Sequence, residues 1–217
     1  MVQKKKGDGT PPPEAPAEPK RRGRPRAYEP DVALGKALDL FRQGGFAATS
    51  LDDLSAATGM NRPSLYGAFG DKRELYIRSY QRYRDEARAA MADIFRGDAS
   101  VRRQLERIFA TALDIYLSGE DGPRGCFTVM TAGSEAVQDG DIRAMVQDAL
   151  RELDKAFAFC FRRAKDAGEL PASADPVVLA QLASATIHTI AIRARAHAPR
   201  GELEAIVKGA LDVMLRK

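Results

Sequence analysis

The apolar residues of this chain recur with the period of an α-helix, and that rhythm removes most folds from consideration. From Asp31 onward, Leu34, Ala37, Leu38 and Phe41 stand at i, i+3, i+4 and i+7, the stripe of one helical face. No segment alternates apolar and polar residues as a half-buried strand does. Glycine, proline and capping residues cut the rhythm into pieces. The pair Gly44-Gly45 closes the first helix. Ser50 with Asp53 forms a capping box for a helix over about 51–58, which Gly59 stops. Asn61 caps a third helix, with Pro63 in its first turn, where a missing N–H costs nothing, and Gly70 ends it. Asp71 with Glu74 reads as another capping box, opening a helix whose stripe runs through Tyr76, Tyr80, Tyr83, Met91 and Ile94. Later stripes predict a helix from Val101 to Ile115, a short one after Gly125, a long one through Ile142 and Ala164, and two more over about 176–196 and 201–215. The expectation is all-α, about nine helices, with a three-helix head followed by a helical bundle.

Charge is spread unevenly. Residues 1–26 carry eight Lys or Arg against three acids, while the whole chain of 217 residues nets only +4. Seven of the 12 prolines fall in residues 1–30, and so polar a segment cannot repay its ordering entropy. The reading is a disordered basic arm (1–26), a helical head (27–78) and a helical body (79–217). Within the arm, Arg22, Arg24 and Arg26 surround Gly23 and Pro25. The run Arg-Gly-Arg-Pro resembles the core of an AT-hook, which lies in the minor groove of A·T tracts; a solvated basic tail is the alternative.

Several function classes lose their residues. With two Cys and two His, and no CxxC or HExxH, a zinc site lacks ligands, and no cofactor or metal is expected. No GxSxG, GxGxxG or GxxxxGK[ST] run is present, so an all-α enzyme is the weakest reading. The longest wholly apolar run, Ala156 to Phe161, has six residues, against roughly 18 for a membrane span, and the N-terminus offers no signal peptide. The expectation is a cytoplasmic protein with no membrane partner.

The second and third helices, with the break Gly59-Met60-Asn61 between them, have the spacing of a helix-turn-helix. Leu65 and Phe69 point inward, leaving Arg62, Ser64, Tyr66 and Gly67 on a narrow outer face. A glycine inside a helix costs about 1 kcal/mol, and close approach by a DNA groove is one reason to keep it; an ordinary helical hairpin is the bland rival. Residues 23–80, with Phe46, Thr49-Ser50, Asp52-Asp53, Ser64-Leu65-Tyr66, Phe69 and Lys72, resemble the DNA-binding head of the tetracycline-repressor-like (TetR/AcrR) transcription regulators. The run 124–136 is similar to a segment of some members.

That resemblance implies a homodimeric regulator, a repressor by expectation, that binds an inverted-repeat operator in double-stranded DNA and answers to a small-molecule effector. By position, Asn61, Arg62, Pro63, Ser64 and Tyr66 would meet the groove and its phosphates. Thr49, Ser50 and Lys72, at helix N-termini whose free amides attract anions, would hold the backbone. In the body, Phe109, Tyr116, Cys126, Met130, Phe157, Phe161 and His188 are candidates for an effector pocket, though aromatics at helical spacing also make plain core. The segment 177–196 is apolar almost all round, which implies burial on two sides. Ser184, Ala191, Leu203, Val207, Ala210 and Met214 are the candidate dimer contacts. Cys126 follows Arg124-Gly125 near a helix start and admits a second mode of control, by thiol redox; control by a protein partner is a further alternative.

Overall fold

The computed structural model describes residues 29–119 and 122–216. The arm and its Arg22, Arg24 and Arg26 lie outside them. Ten helices follow one another: α1 (Pro30–Ala48), α2 (Leu51–Thr58), α3 (Arg62–Phe69), α4 (Lys72–Arg96), α5 (Val101–Leu117), α6 (Phe127–Ala132), α7 (Glu135–Gln138), α8 (Gly140–Asp166), α9 (Pro176–Arg195) and α10 (Arg200–Met214). Nine have six residues or more. The tenth, α7, is a single turn between α6 and α8.

Local chemistry sets the boundaries. Gly45 takes φ +80 and breaks the helical path of α1 where the glycine pair predicts it. The Ser50–Asp53 capping box is present: Asp53 N donates to Ser50 Oγ at 3.1 Å, and Ser50 N donates to Asp53 Oδ2 at 2.8 Å. Asn61 Oδ1 accepts from Ser64 N at 2.9 Å. Asp71 accepts from Glu74 N at 2.8 Å, but the Glu74 carboxylate lies 3.9 Å from Arg73. The expected second box is therefore a single cap, because a neighbouring cation competes for the acid.

Two apolar clusters organise the fold. One joins the head to the near half of the body: Phe41, Leu54, Leu65, Phe69, Tyr76 and Tyr80 pack in the same cluster as Phe127, Ile142 and Val146. At its centre the ring of Phe127 meets Tyr76, Tyr80 and Tyr83 edge-on, with centroids 5.3, 5.7 and 5.8 Å away, an arrangement that adds quadrupole attraction to burial. The expected division at residue 78 falls inside α4, whose tyrosines belong to this cluster. The other cluster lies between α5, α8, α9 and α10, around Leu105, Phe109, Phe157, Phe161, Ile190 and Leu203. Gly125 permits a close approach here: a Cβ on it would come within 2.9 Å of Ala191 O, and its φ is +64. The turn into α6 thus sits directly on α9.

Candidate nucleic-acid interface and ligand cleft

The outer face of α3 is built as its pattern predicts. Leu65 and Phe69 are buried, 3% and 4% exposed, and hold the helix against the head, while Arg62, Pro63, Tyr66 and Gly67 face outward. Ser64 is half-buried, and its backbone N–H is taken by Asn61. Nothing stands within 4 Å of a Cβ built on Gly67, so that point of the face is open. Arg62 does not project freely. Its Nε and Nη2 both donate to Asp52 Oδ1 on α2, at 3.1 and 2.7 Å. Because both groups are largely exposed, this pair holds a rotamer more than it stabilises the fold.

One of the expected phosphate contacts comes out differently, and a second is partly covered. Thr49 is 4% exposed and its hydroxyl donates to Gly45 O at 2.7 Å, closing the bend after Gly45 instead of facing solvent. Lys72 is half-buried, with Nζ 4.2 Å from the centre of the Phe46 ring. Burial, partly opposed by the charges of Glu135 and Asp53, lowers its pKa. Ser50 and Asn61 are exposed, but their side chains are committed to their caps.

Arginines tie this head to the body at two places. Arg73 donates to Asp139, the N-cap of α8, at 2.6 and 3.0 Å, and to Asp141 at 2.7 Å. The hydrogen bond from Arg73 is the main reason the Asp139 carboxyl titrates as low as about 2. At the end of α1, Arg42 is 8% exposed and its Nη2 donates to Ile115 O (3.0 Å) and Gly125 O (3.3 Å). Arg195 of α9 completes the joint by donating to Arg42 O, Arg124 O and Gln43 O at 2.8, 3.0 and 2.9 Å.

A cleft of about 440 Å³ opens between α4 and α8, over a floor supplied by α5, α6 and α9. That volume lies within the usual range of small-molecule sites. Of the seven residues expected to line a pocket, Tyr116, Cys126 and His188 do so. Phe109, Phe157 and Phe161 are fully buried and pack in the body core. Met130 packs against the head cluster instead. The physical reason is packing: the Phe157 ring meets Phe95 of the cleft wall edge-on and stacks on Phe109, with centroids 5.5 and 6.2 Å away, so these rings fill the core behind the cleft. Tyr83 Oη donates to Cys126 Sγ at 3.4 Å on the cleft wall. Burial lowers the His188 pKa, against the opposing charge of Asp154, which favours the neutral imidazole.

Beyond the cleft, α9 and α10 carry an unpartnered apolar face. Pro176–Arg195 is long and apolar enough to cross a membrane by length and composition alone. Its inner side, with Ala183, Ile187 and Ile190, lies in the core. Its outer side exposes Val178, Leu182, Ala185, Thr189 and Ile192. Here four expected dimer contacts are corrected: Ser184, Ala191, Leu203 and Val207 are all under 9% exposed within the single chain, because they occupy the faces by which α9 and α10 meet the rest of the body. Ala210 and Met214 do border the outer groove, with Leu182, Gly209 and Val213.

Comparison with known proteins gives this architecture a lineage. Residues 33–78 match the family described as bacterial regulatory proteins, tetR family, and residues 101–210 match the tetracyclin repressor-like C-terminal domain. The chain belongs to the tetR family. It is 36% identical over 179 residues to the HTH-type transcriptional repressor ComR of Escherichia coli K12, covering 81% of this chain and 84% of that protein. It is 37% identical over 120 residues to the repressor BdcR of the same organism, covering 55% and 60%. Among solved structures it resembles a cysteine-substituted TetR family regulator, CifR, complexed with 26-bp double-strand operator DNA, with a TM-score of 0.79, 29% identity, and 87% and 98% of the two chains covered.

Sequence reasoning passed over the arginines that give this tetR-family chain its joints and its cleft rim: Arg42, Arg73, Arg84, Arg88 and Arg195. One signal was available. Arg84 and Arg88 stand four apart on α4, and Arg84 directly follows Tyr83 of the apolar stripe, which places the pair at the edge of the buried face.

Proposed function

We propose that this chain acts as a homodimeric operator-binding repressor, released when a small molecule enters the cleft between α4 and α8. The reading rests chiefly on the outer face of α3, where Arg62, Tyr66 and open Gly67 stand on a helix held from behind by Leu65 and Phe69. The repressor names of ComR and BdcR and the operator complex of CifR favour the same conclusion. A two-fold pairing through the outer faces of α9 and α10 presents two such helices, so the operator is an inverted repeat with half-site centres about one helical turn, or a multiple, apart. Such a protein is soluble and shares the compartment of the DNA.

Arg62 supplies the base contact and Lys72 the phosphate contact. Arg62→Ala is expected to cost about 1–3 kcal/mol on the operator and to relax the preference at one base pair; Lys72→Ala should weaken all sequences alike. Gel-shift titrations on the promoter fragment, with random DNA as competitor, measure both. Equal losses on specific and random DNA for both variants would remove α3 from the role of recognition helix.

A second reading, control by thiol chemistry, is favoured by the position of Cys126 on the cleft wall with the Tyr83 phenol on its sulfur. Cys126→Ser separates the two. If a ligand acts by occupying space, the variant still releases DNA; if the thiol is the sensor, release by oxidants disappears while operator affinity stays the same.

A further inference from the structure

The geometry points to a small amphipathic carboxylate, an apolar chain or ring bearing one carboxyl group, as the class of ligand for the cleft between α4 and α8; this rests on the cleft being the effector site. Most of the exposed lining is apolar, from Met91, Phe95, Leu153, Ala156 and Ile187. Polar groups gather on the rim. Arg84, Arg88 and Arg96 border the cleft with Glu152 as the only acid among its lining residues. Arg84 and Arg88 both donate to the same oxygen, Glu152 Oε2, each at 2.8 Å. One carboxylate therefore serves two guanidiniums. The Arg84 side chain, 15% exposed, meets no second acid among the described residues, and its Nη1 donates to Met145 O at 3.3 Å.

Arg88 also reaches Asp85 at 3.4 Å, and Arg96 reaches Asp93 at 2.9 Å. Both acids are largely exposed and lie outside the cleft lining, where water screens them. Inside the rim the balance stays positive. A carboxylate entering there would take the hydrogen bonds that Glu152 leaves unmet, in the bidentate geometry that guanidinium favours, while its apolar part covers the floor. An amine would face three like charges, and a neutral head group would gain only ordinary hydrogen bonds.

The test is calorimetric titration of the full chain with decanoate, decanamide and decylamine, which share one tail and differ in head charge. Decanoate is expected to bind at least about tenfold tighter than decanamide, and Arg88→Met should bring the two within about threefold. Glu152→Gln removes the competing acid and should tighten decanoate binding; as a salt-bridge partner with only a structural role, the same change would weaken it. Equal binding of decanoate and decanamide, or tighter binding of decylamine, overturns the carboxylate class and leaves the cleft as a ligand site. Failure of all three probes to bind overturns both the class and the cleft reading beneath it.

Discussion

Leu182→Glu should convert the protein into monomers and weaken operator binding by a hundredfold or more. On α9, Val178, Leu182, Ala185, Thr189 and Ile192 are spaced by alternate steps of four and three residues, which lines them up as one seam. α10 contributes Gly209, Ala210 and Val213, the last 73% exposed. Packed against its two-fold copy, this seam would bury Leu182 twice, so a single substitution places two carboxylates in one apolar interface. Each unpaired charge there costs several kcal/mol. In the separated chain Leu182 is 47% exposed, so the substitution should change monomer stability by no more than about 0.5 kcal/mol. Loss of the second head turns an intramolecular contact into a separate binding event, and avidity of about 10²–10⁴ disappears with it. Light scattering reads the mass and gel shift reads the affinity. A one-chain mass for the unsubstituted protein, or a dimeric Leu182→Glu protein with full operator affinity, would refute this interface.

That seam also marks where the sequence stops being informative. Helix starts were legible because a cap is an i, i+3 affair: Ser50 with Asp53, Asn61 with Ser64 and Asp175 with the amides of Val177 and Val178 all bond within three residues. The head was legible because α3 has a sharp contrast between Leu65 and Phe69 on one side and polar groups on the other. On α9 that contrast is missing. Ser184 and Ala191 are buried while Leu182, Ala185 and Ile192 are exposed, so hydrophobicity alone assigns the two faces wrongly. The cleft shows the same difficulty. Phe157 and Phe161 are better pocket candidates by residue type than Arg84 and Arg88, yet which side of α8 faces α9 is settled by packing between elements far apart in sequence. Arg42 reads as an ordinary surface residue after Phe41, and only the fold places the carbonyls of Ile115 and Gly125 over it.

Arg42→Met should leave both the cleft and the head able to bind their ligands while breaking the connection between them. Arg42 belongs to the head, but its donors go to the end of α5 and the turn into α6. Its guanidinium lies 5.1 Å from the centre of the Tyr83 ring, and the Tyr83 phenol meets Cys126 on the cleft wall. A ligand that displaces Tyr83 or Cys126 therefore alters the surroundings of a head residue it does not touch. Burial lowers the Arg42 pKa, and its Nε has no hydrogen-bond partner among the described residues. A charge held this incompletely responds strongly to small shifts of its few partners.

Methionine keeps much of the stem packing and removes both the charge and the donors, which leaves the two carbonyls short of a bond at about 1–3 kcal/mol while relieving the desolvation of the cation. These oppose each other, so the fold should survive. Coupling in such proteins is typically worth about 1–3 kcal/mol, or 5- to 150-fold; in Arg42→Met the ratio of operator affinities with and without a cleft-binding probe should fall below about threefold. Linkage requires the reciprocal result, with operator DNA no longer weakening the probe. Arg195→Met removes the same joint from the α9 side, so the double variant should lose little more coupling than either single one. Full coupling in both single variants, measured from both directions, would show that the signal travels by another route, with the Arg73–Asp139 contact at the start of α4 the next joint to test.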